Sequence, residues 1–282
     1  MIKALSPEYP VEDLCEILGV TRSGYYAWRQ GRPSARQVAN QELVEQMVRV
    51  YHQKKGTYGS PRVTAQLRRE GRPCNHKRVE RLMRHNGLQG RRSRKRRICT
   101  TQSDHDQPIA PNLLLGRPAP QRVDEVWVTD ITYVPSTQGW LYVAAIMDLY
   151  SRQIPGWSVW DRLTAGGPLQ ALARAVAHRR PPRGVIHHSD RGIQYACRAY
   201  RQQLAQNGLI ASMSRKGNCY DNAAMEAFWS TLKREAMSES ASWTKDRVRR
   251  ELFEYIESNY NRSRLHSSLD YQSPVDFEHQ KR

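Results

Sequence analysis

The chain has 282 residues, with 45 Lys and Arg against 27 Asp and Glu, a formal charge of +18 and 39% apolar residues. Its mean hydropathy is −0.77, which excludes collagenous, mucin-like and membrane-bundle chains, while the length allows two domains and a third small one. The five cysteines are odd in number and widely spaced, with no CxxC pair, so a disulfide framework or zinc knuckle is not expected. No apolar run is long enough to span a bilayer, and the first residues carry early acids in place of a signal-peptide core. A cytoplasmic protein without membrane contact is therefore expected. Residues 1–100 hold 22 basic and 8 acidic side chains against 23 and 19 in the remainder. A net +14 on the front and +4 on the back points to a nucleic-acid-binding arm on a separate domain.

The front third reads as helical. Val11, Leu14, Ile17 and Leu18 keep helical spacing, Gly19 breaks it, and Thr21 caps a second helix to about Arg29. This makes residues 1–34 a helix-turn-helix-like segment, with Arg22, Ser23 and Tyr25 near the start of its recognition helix. Residues 35–98 form a second helical DNA-binding domain. It holds a long helix from Ala35 to about Lys54, then a pair with Pro61 in a first turn and Asn75 as cap. Lys77 and Arg78 open the last helix toward phosphate. Gly90 to Arg97 has six basic residues in eight, and Arg91, Arg92, Arg94, Lys95, Arg96 and Arg97 suit a phosphate backbone. Residues 99–122 are polar and Pro-rich, and read as a linker with little structure of its own.

From residue 123 the character changes. VWVTDITYVP, GWLYVAAIMDLY and RQIPGWSVW read as three consecutive antiparallel strands. A helix over Thr164–Arg180, a strand in GVIHHSD, a helix over Ala196–Gly208 and a strand in LIASMS follow. Two long helices cover Asp221 to about Met237 and Lys245–Tyr260. Three strands, helix, strand, helix, strand, helices is the element order of an RNase H-like fold, a mixed five-stranded sheet with flanking helices. The core spans 123–238, and 239–282 form a C-terminal helix and basic tail.

Three acids stand out. Asp130 lies inside the first strand amid apolar neighbours, Asp190 follows the fourth strand, and Glu226 lies in a helix with 35 residues between it and Asp190. Each alone has an ordinary reading as a strand-end, turn or surface acid. Together they fall where one sheet edge gathers them, and three convergent carboxylates repel unless a divalent cation neutralises them. Two such ions about 3.5–4 Å apart support in-line phosphoryl displacement. Asp148, at the end of the second strand, reads as structural, and His187 and His188 as packing residues. Asn222 and Asp221 read as caps of the Glu226 helix. Trp229 and Phe228 read as core.

The segments TDITYV, YVAAIMDLYSRQIPGWSV, IHHSDRGIQY and SRKGNCYDNAAMEAFWSTLKRE resemble the integrase core of bacterial insertion-sequence transposases of the IS3 family, OrfB type. NRSRLHSSLDYQSPVDF is similar to that family's C-terminal signature, and GTYGSPRVTAQLRREG with NHKRVERLMRHNGL to its N-terminal helical domain. The resemblance implies a catalytic, metal-binding triad of Asp130, Asp190 and Glu226 holding two Mg²⁺ (Mn²⁺ substituting). It implies cleavage of one strand at the element ends, then strand transfer by the freed 3′-OH. It supports Lys233, two turns beyond Glu226, as a DNA contact. Arg262 and Arg264 in the tail are DNA candidates on residue type alone, with Asn261 and His266. The implied partners are double-stranded DNA (inverted-repeat ends and target), further copies of the chain assembled on DNA, and an upstream-frame OrfA product or a frameshift fusion with it. The implied location is the bacterial cytoplasm, on the nucleoid. A metal-dependent nuclease on the same fold shares the acids, and a non-enzymatic DNA-binding regulator would leave the back domain unexplained.

Overall fold

The structure, a computed structural model, describes residues 1–31, 33–91, 106–215 and 222–281. The expected phosphate contacts Arg92, Arg94, Lys95, Arg96 and Arg97, and the expected cap Asp221, lie outside the described residues. The chain divides into two compact units, Met1–Gly90 and Arg91–Arg282.

The first unit is helical: α1 (Ile2–Leu5), α2 (Val11–Ile17), α3 (Arg22–Arg29), α4 (Ala35–Gln53), α5 (Ser60–Arg69) and α6 (His76–His85). Its turns follow local chemistry. Gly19 takes φ +63° after α2, and Thr21 Oγ1 accepts a bond from Gly24 N at 3.1 Å to start α3. Ser34 and Gln37 form a reciprocal capping box at α4, and Asn75 caps α6. Met47, Val50, Val63, Leu67 and Val79 are completely buried, each such side chain contributing roughly 1.5–3 kcal/mol.

The second unit is built on a five-stranded sheet of order β3-β2-β1-β4-β5. The strands are β1 (Val126–Ser136), β2 (Gly139–Asp148), β3 (Gly156–Trp160), β4 (Ile186–Ser189) and β5 (Ile210–Met213). β1 pairs antiparallel with β2 and parallel with β4. Helices cover both faces, so the alternation along β1 and β2 selects between two apolar layers. Val128, Val134, Leu141 and Val143 pack with α10 (Ala223–Glu235) and α11 (Lys245–Phe253). Trp127, Ala144 and Ile146 pack with α7 (Gly166–Arg179), α8 (Ile193–Ala196) and α9 (Arg198–Gln206). Gly156 permits the closest approach, because a Cβ there would stand 2.3 Å from the Ala171 carbonyl oxygen of α7.

Two expectations are revised here. The single helix expected over Lys245–Tyr260 changes at Glu254 into a π turn, Glu254–Tyr260, which turns Tyr255, Ile256 and Tyr260 inward. Residues 106–122 contain no helix or strand, yet they are stitched to the sheet. Leu113 N donates to Ser212 Oγ at 2.9 Å, and Leu113 and Leu114 pack on the core. The C-terminal segment is also integral. The Asn261 side chain bonds both backbone groups of Ile154, and α12 (Pro274–Lys281) is tied to α7 by an Arg179–Glu278 pair. No helix among the described residues is long and apolar enough to cross a membrane.

Candidate active site

The geometry of the site follows from unequal strand lengths. β4 pairs with β1 only at Val126–Val128, where Val128 faces His188. Two residues further along both chains, Asp130 and Asp190 come level at the C-terminal end of the parallel pair. Asp130 is still within β1 while Asp190 lies just past the end of β4, and the charge of Asp190 reaches Asp130. Beyond Val128, β1 has strand pairing on its β2 side alone. The Thr129 carbonyl on the open side accepts from Asn222 Nδ2 at 3.0 Å. That bond seats the N-terminus of α10 against the open edge. Glu226 lies in the first turn of α10, and Trp229 and Lys233 follow on the same helical face. Trp229 Nε1 donates to Asp130 Oδ2 at 3.0 Å.

The electrostatics show what the arrangement lacks. Burial first, and then the negative charge of Asp190, push the Asp130 carboxyl up to about 7; the Ile131 amide and Trp229 indole oppose this, and Glu226 adds to it. Thus the ionisation of Asp130 senses both other acids, and negative charge there is undercompensated. Lys233 is a nearby cation. Its pKa is lowered by desolvation and drawn back up by Asp130. Asn222 Oδ1 is buried without a hydrogen-bond partner among the described residues.

An all-oxygen donor set with surplus negative charge fits a hard divalent cation such as Mg²⁺ or Mn²⁺. Asp130, Asp190 and Glu226 are the carboxylates whose oxygen donors fit such an ion. They are coupled through their fields and not yet in coordination contact. Among the described residues, no three His, Cys, Asp or Glu side chains stand close enough to grip a metal as arranged.

The neighbouring polar residues sort clearly. Asp148 is structural: it accepts from the amides of Asp124, Tyr150 and Ser151 and from the Ser151 hydroxyl. His187 is buried against Tyr200, whose hydroxyl lies 3.2 Å from Nε2, and burial holds its pKa down at about 3. His188 Nδ1 lies 2.8 Å from Ser212 Oγ. Asn222 stands at the N-cap position of α10 but makes no capping bond. Its amide goes to β1 instead, which corrects the capping role expected for it.

The expected DNA contacts divide. Arg22 is exposed and paired with Glu12 at 2.6 Å, and Ser23, Lys77 and Arg262 are exposed. Arg91 Nη1 reaches the Glu235 carbonyl at 3.3 Å. Three expectations are corrected. Tyr25 is 5% exposed, with its ring 5.4 Å from that of Tyr26 and 6.0 Å from that of Trp28. Arg78 donates to Asn40 at 2.9 Å and ties α6 to α4. Arg264 is buried and makes two 2.9 Å bonds to the Glu235 carboxylate, so its charge is already neutralised inside the core. His266 of the same tail is buried as well, its ring 4.6 Å from that of Tyr260. Conversely, Trp229 is a core residue that also touches Asp130. Its position three residues after Glu226 was the available signal.

Residues 120–219 match the integrase core domain family, 207–274 match a second integrase core family, and 39–96 match an HTH-like domain. The chain is 43% identical over 264 residues to the insertion element IS600 uncharacterized 31 kDa protein of Shigella sonnei, covering 94% of this chain and 97% of that one. It is 39% identical over 273 residues to transposase InsF for insertion sequence IS3A of Escherichia coli, covering 96% and 94%. Among solved structures, a simian T-cell lymphotropic virus intasome aligns with TM-score 0.48 at 15% identity, over 77% of this chain and 70% of that one. The catalytic core of BIV integrase aligns with TM-score 0.43 at 13% identity, over 56% and 95%.

Proposed function

The chain belongs to the IS3 family of insertion-sequence transposases with an integrase core, and on that premise we propose that Asp130, Asp190 and Glu226 hold two divalent cations, Mg²⁺ or in its place Mn²⁺, around a DNA phosphodiester. Bound there, such ions supply activation of an attacking oxygen and stabilisation of a leaving one. The protein's own groups set the geometry. β1 and β4 hold two carboxylates level, α10 brings the third, and the Trp229 indole fixes Asp130 Oδ2. Lys233 supplies positive charge to a phosphate beside Asp130.

The reaction has two displacements at one site. Water attacks a phosphodiester at an element end, breaking the P–O3′ bond and freeing a 3′-OH. That hydroxyl then attacks a second phosphodiester, forming a new P–O3′ bond and releasing the 3′-oxygen of the target strand. No covalent protein–DNA intermediate is needed. The exposed basic residues of the N-terminal helices bind the element ends in double-stranded DNA. Two ends must be joined, so the chain acts as a dimer or larger assembly on DNA, alone or with an upstream-frame partner fused by frameshifting. The site of action is the bacterial cytoplasm, on the nucleoid.

The observation that carries this reading is the meeting of β1 and α10 beside Asp190, where the Trp229 indole donates to Asp130 Oδ2 at 3.0 Å and Asn222 donates to the Thr129 carbonyl at 3.0 Å. Asp130→Asn, Asp190→Asn and Glu226→Gln are each expected to abolish joining of end-containing DNA while gel-shift binding persists. Joining at the wild-type rate by any of them would refute it.

A further inference from the structure

The turn between β1 and β2 carries an aromatic group that the proposed chemistry leaves unused. Trp140 is 49% exposed. Its ring stands edge-on to Tyr133, 5.1 Å between centroids at 83°. Lys233 Nζ lies 4.9 Å over the same Tyr133 ring, and Lys233 in turn senses the charge of Asp130. A chain of close neighbours therefore runs from the carboxylates through a lysine and a tyrosine to an open indole. The turn is held firmly: Thr137 N donates to the Trp243 carbonyl at 2.9 Å, and Lys245 N donates to Gln138 Oε1 at 2.8 Å. Arg247 lies 4.4 Å over Trp243, which adds positive charge close to the anchored turn.

An exposed indole on a rigid turn, with cations over the rings of Tyr133 and Trp243 near it, matches the stacking platforms that receive unpaired bases, with the phosphate held by nearby positive charge. We propose that Trp140, with Tyr133 against it and Lys233 over the Tyr133 ring, is a stacking site for an unpaired nucleotide of the DNA strand that enters the carboxylate site. This rests on the transposase reading given above and names the strand contact that it leaves open. A frayed or unpaired base at the reacting end would be held out of the duplex, which leaves its phosphodiester accessible.

The test uses the full chain in chelator, so that no cutting occurs, and two probes. One is a blunt duplex; the other is the same duplex with a short 3′ single-stranded tail carrying 2-aminopurine. Wild-type protein is expected to quench the 2-aminopurine on the tailed probe. Trp140→Leu should weaken tailed-DNA binding about five- to tenfold and lose the quench, with blunt-duplex affinity unchanged. Trp140→Phe should retain most of both. Equal effects of Trp140→Leu on the two probes, or none on the tailed one, would overturn the proposal. Asp130→Asn protein should quench like wild type, so a failed carboxylate assignment and a failed stacking site give different results.

Discussion

Asp130 and Asp148 are two buried aspartates on neighbouring strands of one sheet, and they are satisfied in opposite ways. Burial raises the pKa of both. Asp148 collects three backbone amides and a hydroxyl, and Arg179 lends it positive charge. Asp130 has the indole of Trp229 as its side-chain donor and two acids for neighbours. An acid that builds the fold is saturated with donors. Asp130, the acid proposed to take a metal, is left short of them, a deficit that points toward function without any motif. Glu235 belongs with Asp148, since Arg264 and Tyr255 fill its carboxylate.

This contrast can be broken by substitution. The largest effect is expected at the Glu235 pair. Arg264→Met takes two charge-assisted bonds from a buried carboxylate, leaving Arg234 at 3.5 Å, and should cost about 3–5 kcal/mol in urea unfolding. An unchanged midpoint would remove Glu235 from the saturated class. Asp148→Asn should cost about 2–3 kcal/mol, because charge-assisted bonds are lost. Asp130→Asn should do the reverse. In chelator above neutral pH it should stabilise the protein by about 1–2 kcal/mol, since repulsion from two acids is relieved. Added Mg²⁺ should then raise the melting temperature of the wild type and leave that of Asp130→Asn unmoved.

His187 sharpens the comparison from the basic side. It is held neutral, with its pKa lowered from 6.5 to about 3. The unfolded chain therefore binds the extra proton between those values. Stability from the neutral ring is complete above 6.5 and is lost as pH falls toward 3, at no more than about 1.4 kcal/mol per pH unit. A His187→Gln variant should show a flatter acid limb in pH-dependent unfolding. The smallest effect on stability is expected at Trp229→Phe, which keeps an aromatic ring against Phe228 and removes one hydrogen bond, about 1 kcal/mol. Its signature is functional. The Mn²⁺ concentration giving half-maximal joining should rise about tenfold, and an unchanged value would separate Trp229 from the site.

Much of this was legible in the chain because it is local. Thr21 and Asn75 announce their helices through side chains that reach back within a turn, and the alternation in VWVTDITYV marks β1 before any partner is known. The site was legible in part from Asp130, a costly acid inside an apolar strand, and the set of three acids came from the likeness of the surrounding motifs to a known family. What stayed hidden depends on distant partners. Arg264 looks like a DNA contact until Glu235, 29 positions upstream, is found beside it. Tyr25 resembles a recognition residue by position, and only packing shows that its ring is enclosed. Asn222 had the identity and place of a cap. Its actual bond is to the Thr129 carbonyl, exposed because β4 stops short, and strand length differences of that kind are not written in local spacing.

The Arg264–Glu235 bond also determines how the gene can decay. The helix that presents Glu226 is gripped at its far end by Arg264, a residue downstream of all three acids. A stop codon ahead of Arg264 would spare every carboxylate and still loosen the third one from the sheet. On the proposed assignment, chains cut ahead of Arg264 should lose joining as completely as chains mutated at the acids, so intact codons for the three acids alone are a poor census of working copies.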